Sequence, residues 1–165
     1  MGERERVGPY VVYRRIGDGG MGEVFLGQRE QLGASKWVAV KTIHGHLARR
    51  EDFVKSFLDE ARVSMALNHP NVVQVFDLGR DERESDGRLY LAMEYVNGEN
   101  LDDLIQDQPI HPALAAKIIA LASEGLHHAH EARDARGEAL ALVHRDVSPH
   151  NIFLSYDGHI KVADF

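Results

Sequence analysis

The sequence predicts an α+β fold in two lobes: an antiparallel sheet carrying one helix, then a mainly helical segment that ends in a short hairpin. Two observations predict it. Through residue 95 the apolar residues fall in short β-branched and aromatic runs cut by glycine, with one intervening segment of helical period. From residue 100 to about residue 130 the period is helical, and alternating runs return only after residue 152. Strands first and helices after point to two lobes joined near residues 94–98. At 165 residues, 44% hydrophobic and 27% charged, the chain can form a sizeable core and has an ordinary globular composition.

Taken in order, residues 1–9 read as a tail and residues 10–95 as the first lobe. Residues 9–16 form a β-rich run ending at glycine, residues 23–27 resume it, and residues 37–43 give a third strand. Residues 49–67 read as a helix with Phe53, Phe57, Ser64 and Leu67 on one face. His69-Pro70-Asn71 ends it, and residues 72–78 and 88–95 form a strand pair around the polar loop at Ser85-Asp86-Gly87. Residues 96–165 make the second lobe: a hinge, two helices, a polar loop and a short hairpin. Asn100 caps the first helix, with Asp102 and Asp103 in its first turn where acids favour the dipole. Pro112 opens the second, which runs to about His130 and buries Leu114, Ile118, Leu121 and Ala122. The hairpin consists of residues 152–155 and 160–163 about an Asp157-Gly158 turn.

Bulk properties exclude several functions. A net charge of −7 argues against a nucleic-acid or anionic-membrane binder. With no cysteine there is no disulfide framework and no thiolate metal site, which fits a reducing cytoplasm. No apolar run follows the charged N-terminus as a signal peptide would require, and no stretch is long enough to span a bilayer. A membrane anchor would have to lie beyond residue 165. Met1-Gly2 without Ser or Thr at position 6 is a weak myristoylation pattern.

Three constellations carry chemistry. Gly17, Gly19 and Gly22 are spaced G-x-G-x-x-G between strands, where their backbone can approach an anion closely. Dinucleotide folds share this spacing, but there the glycines open a helix, whereas Glu23-Val24-Phe25-Leu26 is a β-run. A mobile glycine hairpin also fits. Ala39 and Lys41 share one face of their strand, a small apolar residue beside a cation, as a site for a flat base and its phosphates needs. A solvent-facing lysine is the alternative. Glu60 falls in the middle of the Phe53/Phe57/Ser64/Leu67 stripe, and a carboxylate on a packed face needs a cation. Lys41 is the candidate, and breaking a buried pair of this kind costs ~3–5 kcal/mol. A rotated helix would leave Glu60 solvated instead. Finally, His144-Arg145-Asp146, Asn151 and Asp164 offer an amide and a carboxylate that suit Mg2+, and leave Asp146 free to accept a proton from a hydroxyl.

In this order the motifs resemble a protein kinase catalytic domain, and most resemble bacterial eukaryotic-like serine/threonine kinases; the likeness runs from about Tyr10 to Phe165. It implies the kinase two-lobe fold and the ATP- and Mg2+-dependent phosphorylation of Ser and Thr in proteins, with autophosphorylation among the outcomes. By resemblance, Ile16, Gly17, Asp18, Gly19, Gly20, Met21, Gly22, Glu23 and Val24 cover ATP. Ala39, Glu94 and Val96 border the adenine, and Met93 is the gatekeeper. Lys41, paired with Glu60, contacts the phosphates. Asp146 is the catalytic base, and Asn151 and Asp164 hold the metal. His144 and Phe165 belong to an internal hydrophobic stack, and Arg145 to kinases switched by phosphorylation.

Two departures stand out. Ser148 occupies the position where serine/threonine kinases usually carry lysine, with His150 nearby as a partial substitute. Asp164-Phe165 begins an Asp-Phe-Gly motif whose glycine is absent, as are the activation segment, the Ala-Pro-Glu motif and later helices. The expectation is therefore an incomplete domain, weakly stable and weakly active alone, with apolar surface exposed. Two rival readings remain: a non-catalytic kinase-like module that binds nucleotide and regulates a partner, and a small-molecule phosphotransferase of the same fold. His127-His128-x-His130 lacks a carboxylate or cysteine to complete a metal site and reads as a partly packed helix end. Residues 80–88 read as a solvated hairpin loop and residues 131–141 as a surface loop of no assigned role.

Overall fold

The computed structural model of the chain describes residues 5–20, 22–31, 34–45, 47–83, 87–134 and 136–165. Met21, residues 1–4 of the expected tail, and residues 84–86 of the polar loop lie outside the described residues. The chain forms two compact units, one of residues up to 62 with 75–95, the other of 63–74 with 96–165.

The first unit is a six-stranded antiparallel sheet. Its strands are β1 (Arg6–Val7), β2 (Tyr10–Asp18), β3 (Gly22–Gln31), β4 (Ala34–Ile43), β5 (Val75–Asp81) and β6 (Arg88–Glu94), in the order β1-β2-β3-β4-β6-β5. Alternation divides each strand between two faces. Val7, Tyr10, Val12, Val38, Val40, Tyr90 and Ala92 form one cluster, with Val40 and Ala92 wholly buried. Ile43, Leu89, Leu91 and Val75 form the other, against Phe57 and Ala61 of helix α1 (Glu51–Ala66). Fully burying each of the Val, Leu, Ile and Phe side chains stabilises by about 1.5–3 kcal/mol. The helix begins with Glu51 and Asp52, acids that favour its N-terminal dipole.

The sheet curls until its edge strands meet. Gly8, at φ +56° between β1 and β2, donates its N–H to Asp81 Oδ2 at the end of β5 (3.0 Å), and its carbonyl accepts from Arg83 Nη2 (2.7 Å). Arg83 also grips Asp81 through Nε and Nη2, each at 2.8 Å. These bonds hold the buried Asp81 carboxyl down at about 2. Tyr10 and Tyr90 meet edge to face, and both hydroxyls donate to Asp77. Burial first, and then the Asp77 charge, push the Tyr10 hydroxyl up to about 12. The short strand β1 falls in the expected tail. The expected strand over 72–78 begins only at Val75, because Val72 bridges to Val162 and the Val73 N–H donates to the Val162 carbonyl (2.8 Å).

In the second unit, β7 (Gly98–Asn100) leads into α2 (Leu101–Asp107), followed by α3 (Pro112–His130), a 3₁₀ turn (Pro149–Asn151), β8 (Ile152–Ser155) and β9 (Ile160–Val162). Asn100 caps α2 by accepting the Asp103 N–H at 2.8 Å. The sheet order is β7-β8-β9, and a Cβ on Gly98 would lie 1.9 Å from the Leu154 carbonyl oxygen, so only glycine fits there. Leu101, Ile118, Ala122, Ile152, Ile160 and Val162 form the core, and Leu67, Val72 and Ala129 a second cluster. The buried stripe of α3 is Ile118, Ala122, Gly125 and Ala129. Leu114, expected on it, is 48% exposed, since it sits one turn before the packed stretch. The described residues of the loop, 131–134 and 136–141, hold one another through hydrogen bonds. Asp134 Oδ1 accepts the Arg136 and Glu138 N–H groups, and Arg133 bridges to Ala139. Among the described residues no helix is long and apolar enough to cross a membrane.

Candidate active site

In the first unit, β2 and β3 pair Gly17 with Val24 and Asp18 with Glu23, and the hairpin closes with two bonds between Gly19 and Gly22 (2.9 and 3.2 Å). A Cβ on Gly22 would lie 1.7 Å from the Thr42 carbonyl oxygen, so only glycine lets the turn lie this close to β4. Charged side chains brace the base of the hairpin. Arg15 Nη1 donates to Asp18 (2.8 Å) and Glu23 (3.0 Å), while Arg88 Nη2 donates to Glu23 (3.3 Å) and to the Thr42 hydroxyl (3.0 Å). His44 Nε2 donates to the Gly19 carbonyl at 3.1 Å.

Strand β4 carries the next residues. Its register sets Lys41 opposite Val24 and Leu91, and Ala39 opposite Leu26 and Met93. Ala39 is buried and Ile16 half-buried. Lys41 Nζ lies 3.6 Å from Glu60 Oε1, with the two side chains 15% and 30% exposed. The pair is thus partly rather than fully buried, and Glu60 faces the sheet, as the helical stripe predicts. Glu94 ends β6 opposite Val38, and Val96 belongs to the second unit.

In the second unit, the loop after α3 is fixed by a buried histidine. His144 Nδ1 accepts the Asp146 N–H (3.3 Å), so its proton is on Nε2, which donates to the Ala163 carbonyl (2.8 Å). Its ring also packs on Phe165, centroids 4.7 Å apart. Asn151 sits at the end of the 3₁₀ turn and donates Nδ2 to both the carbonyl and the Oδ2 of Asp146, each at 3.0 Å. The Ala163 N–H donates to the Asn151 carbonyl (2.9 Å), which brings Asp164 alongside the same loop. Arg145 and Asp164 take left-handed φ values of 64° and 60°, a conformation that costs a non-glycine residue about 1–2 kcal/mol and clusters at functional sites. His150, beside Asn151, lies 3.6 Å from the Asp102 carboxylate.

The comparisons with known proteins agree along nearly the whole chain. The family profile that matches is the protein kinase domain, over residues 10–165. This chain belongs to that family. The kinase domain is 39% identical over 166 residues to the tyrosine-protein kinase MasK of Myxococcus xanthus, covering 96% of this chain and 25% of MasK. It is 37% identical to the serine/threonine-protein kinase PrkC of Bacillus subtilis, covering 96% of this chain and 22% of PrkC. With the serine/threonine-protein kinase PknB of Mycolicibacterium smegmatis the identity is 40%, over 94% of this chain and 24% of PknB. Among solved structures, the PknI kinase domain of Mycobacterium tuberculosis superposes with a TM-score of 0.78 at 31% identity, over 100% of this chain and 62% of that one. The chain therefore spans about a quarter of the length of these curated relatives.

Within the first unit the fold brings together Gly17, Asp18, Gly19, Gly22, Glu23, Val24, Ala39, Lys41 and Glu60 of the expected site. Within the second it brings together Asp146, Asn151 and Asp164. Gly20 stands at the open tip of the hairpin, where nothing lies within 4 Å of an added Cβ. Arg15, Arg88 and His44 are absent from the sequence reading. Arg15 had a signal, since it and Glu23 are opposite charges flanking a predicted hairpin; Arg88 and His44 had none.

Proposed function

We propose that this chain is the nucleotide-binding and catalytic-loop part of an ATP- and Mg2+-dependent protein kinase that transfers the γ-phosphate to serine or threonine hydroxyls of proteins, itself included. The observation that carries the reading is the Asp146–Asn151 pair, an aspartate fixed by two 3.0 Å bonds from one amide on a short loop. The donor set fits Mg2+. Asn151 spends its Nδ2 on Asp146, which leaves its amide oxygen, and Asp164 adds a carboxylate; Mg2+ favours one or two protein oxygens plus phosphates and water. When bound, the metal would neutralise charge building on the transferred phosphoryl group.

The chain's own residues do the rest. Backbone N–H groups at the open tip of the glycine hairpin bind the triphosphate, and Lys41, held by Glu60, adds a cation to its inner phosphates. Ala39 leaves room for the adenine, and backbone groups of Glu94 and Val96 read its edge. Asp146 orients the incoming hydroxyl and accepts its proton, a contribution of about 10²–10⁴-fold. His144 keeps the loop in place by bonding Asp146 on one side and Ala163 on the other. We place the reaction in the cytoplasm, where ATP is supplied.

Tyrosine is the second acceptor class. MasK is named a tyrosine kinase, and Ser148 replaces the lysine usual in serine/threonine kinases. Phosphoamino-acid analysis after labelling decides between them. Phosphoserine and phosphothreonine support the proposal, and phosphotyrosine alone replaces its acceptor. Loss of labelling in Asp146→Asn supports the catalytic assignment, and labelling equal to wild type refutes it.

A further inference from the structure

We propose that His44 is a positioning residue that fastens the glycine hairpin to the strand carrying Lys41, and so sets how readily the hairpin accepts a nucleoside triphosphate. The second clause rests on the reading of this hairpin as the nucleotide site; the first does not. His44 directly follows Ile43, the last residue of β4, three positions beyond Lys41. Its Nε2 lies 3.1 Å from the Gly19 carbonyl oxygen and 3.7 Å from Asp18 Oδ1. A carbonyl can only accept, so the imidazole proton must be on Nε2 and directed at Gly19.

The Gly19 carbonyl is the same group that closes the turn by accepting the Gly22 N–H at 3.2 Å. One oxygen therefore joins the two sides of the turn to each other and joins both to β4. Arg15 and Arg88 brace the hairpin at Asp18 and Glu23, and the Gly22 backbone rests against Thr42. Gly20, at the tip, has open space around it. His44 thus ties down the last residue before the open tip. A glycine-rich turn loses much conformational entropy when ordered, and a loop already tied down loses less on binding. Asp18 adds to the tie, because its carboxylate faces the same imidazole nitrogen and its other oxygen is held by Arg15.

The test compares wild type with His44→Ala, which removes the donor, and His44→Gln, whose amide N–H can still reach Gly19. Amide hydrogen exchange across residues 17–24 is read without nucleotide, and ATP affinity and steady-state kinetics are then measured on the same proteins. His44→Ala should speed exchange at Gly19 and Gly22 and raise the dissociation constant and KM for ATP about three- to tenfold, one ordinary hydrogen bond's worth, with kcat within about twofold. His44→Gln should recover most of both effects. Unchanged exchange in His44→Ala would overturn the tether. A Gln variant as impaired as Ala, with both melting at a lower temperature, would reduce His44 to a fold-stabilising residue. If wild type bound no ATP, the nucleotide reading would fall, and the exchange comparison would still decide whether His44 holds the turn.

Discussion

Replacing Glu60 with glutamine keeps the shape of the side chain and removes its charge from Lys41. At the observed 3.6 Å, Coulomb's law gives ~1.2 kcal/mol in water and ~4.6 kcal/mol at the effective dielectric of a partly buried site. Glu60 is 30% exposed and Lys41 15%, so water screens the pair and the lower part of that interval applies. The sequence-based figure of ~3–5 kcal/mol belongs to fully buried pairs and is too high here. A loss of about 1–2 kcal/mol translates into roughly a 5–30-fold rise in the dissociation constant for ATP. Calorimetric titration of ATP into wild type, Glu60→Gln, Lys41→Met and the double variant isolates the coupling. The expected result is a large single effect of Glu60→Gln that nearly vanishes once Lys41 is gone. A Glu60→Gln protein within twofold of wild type, or strictly additive losses, would refute the argument that Glu60 acts through Lys41.

Other outcomes follow from single contacts. Gly22→Ala puts a methyl 1.7 Å from the Thr42 carbonyl oxygen, so β3 and β4 must part locally; stability should fall by about 1–3 kcal/mol in urea unfolding, and ATP affinity with it. Asn151→Asp exchanges the amide that donates to Asp146 for a carboxylate that repels it. A loss in kcat of about a hundredfold is expected, and saturating Mg2+ should not restore it if the defect is the placing of Asp146. Asp81 contributes a pH dependence. Its folded value of about 2 lies below its ordinary 3.8, so the stabilisation is complete above the unfolded value and is lost as pH falls from about 4 toward 2. Unfolding midpoints across that range should show about 2 kcal/mol of acid loss in wild type, and a flatter limb in Asp81→Asn.

Much of this was legible because strong local patterns carried it. Alternating Val38-Ala39-Val40-Lys41 fixed which residues share a face, and the stripe Phe53, Phe57, Ser64 pointed Glu60 at the sheet before any partner was visible. Long-range closure was not legible. Strand β1 is two residues long and exists because Gly8 can take φ +56° and bond Asp81, 73 positions away. Val72 and Val73 look like the start of β5, yet they bond Val162, a competition no local period encodes. At the site, the spacing of Asp146 and Asn151 was visible, but not that the amide holds the aspartate rather than pointing away. Leu114 has a core residue's spacing and lies outside the packed length of α3, because periodicity gives a face and not where its partner ends.

The most direct test of the central claim is transfer of labelled γ-phosphate from ATP with Mg2+, measured on wild type and Asp146→Asn at equal ATP occupancy. Label is expected on serine or threonine with wild type, with a loss of at least about a hundredfold in the variant. Equal labelling of serine and threonine by both proteins would contradict that claim.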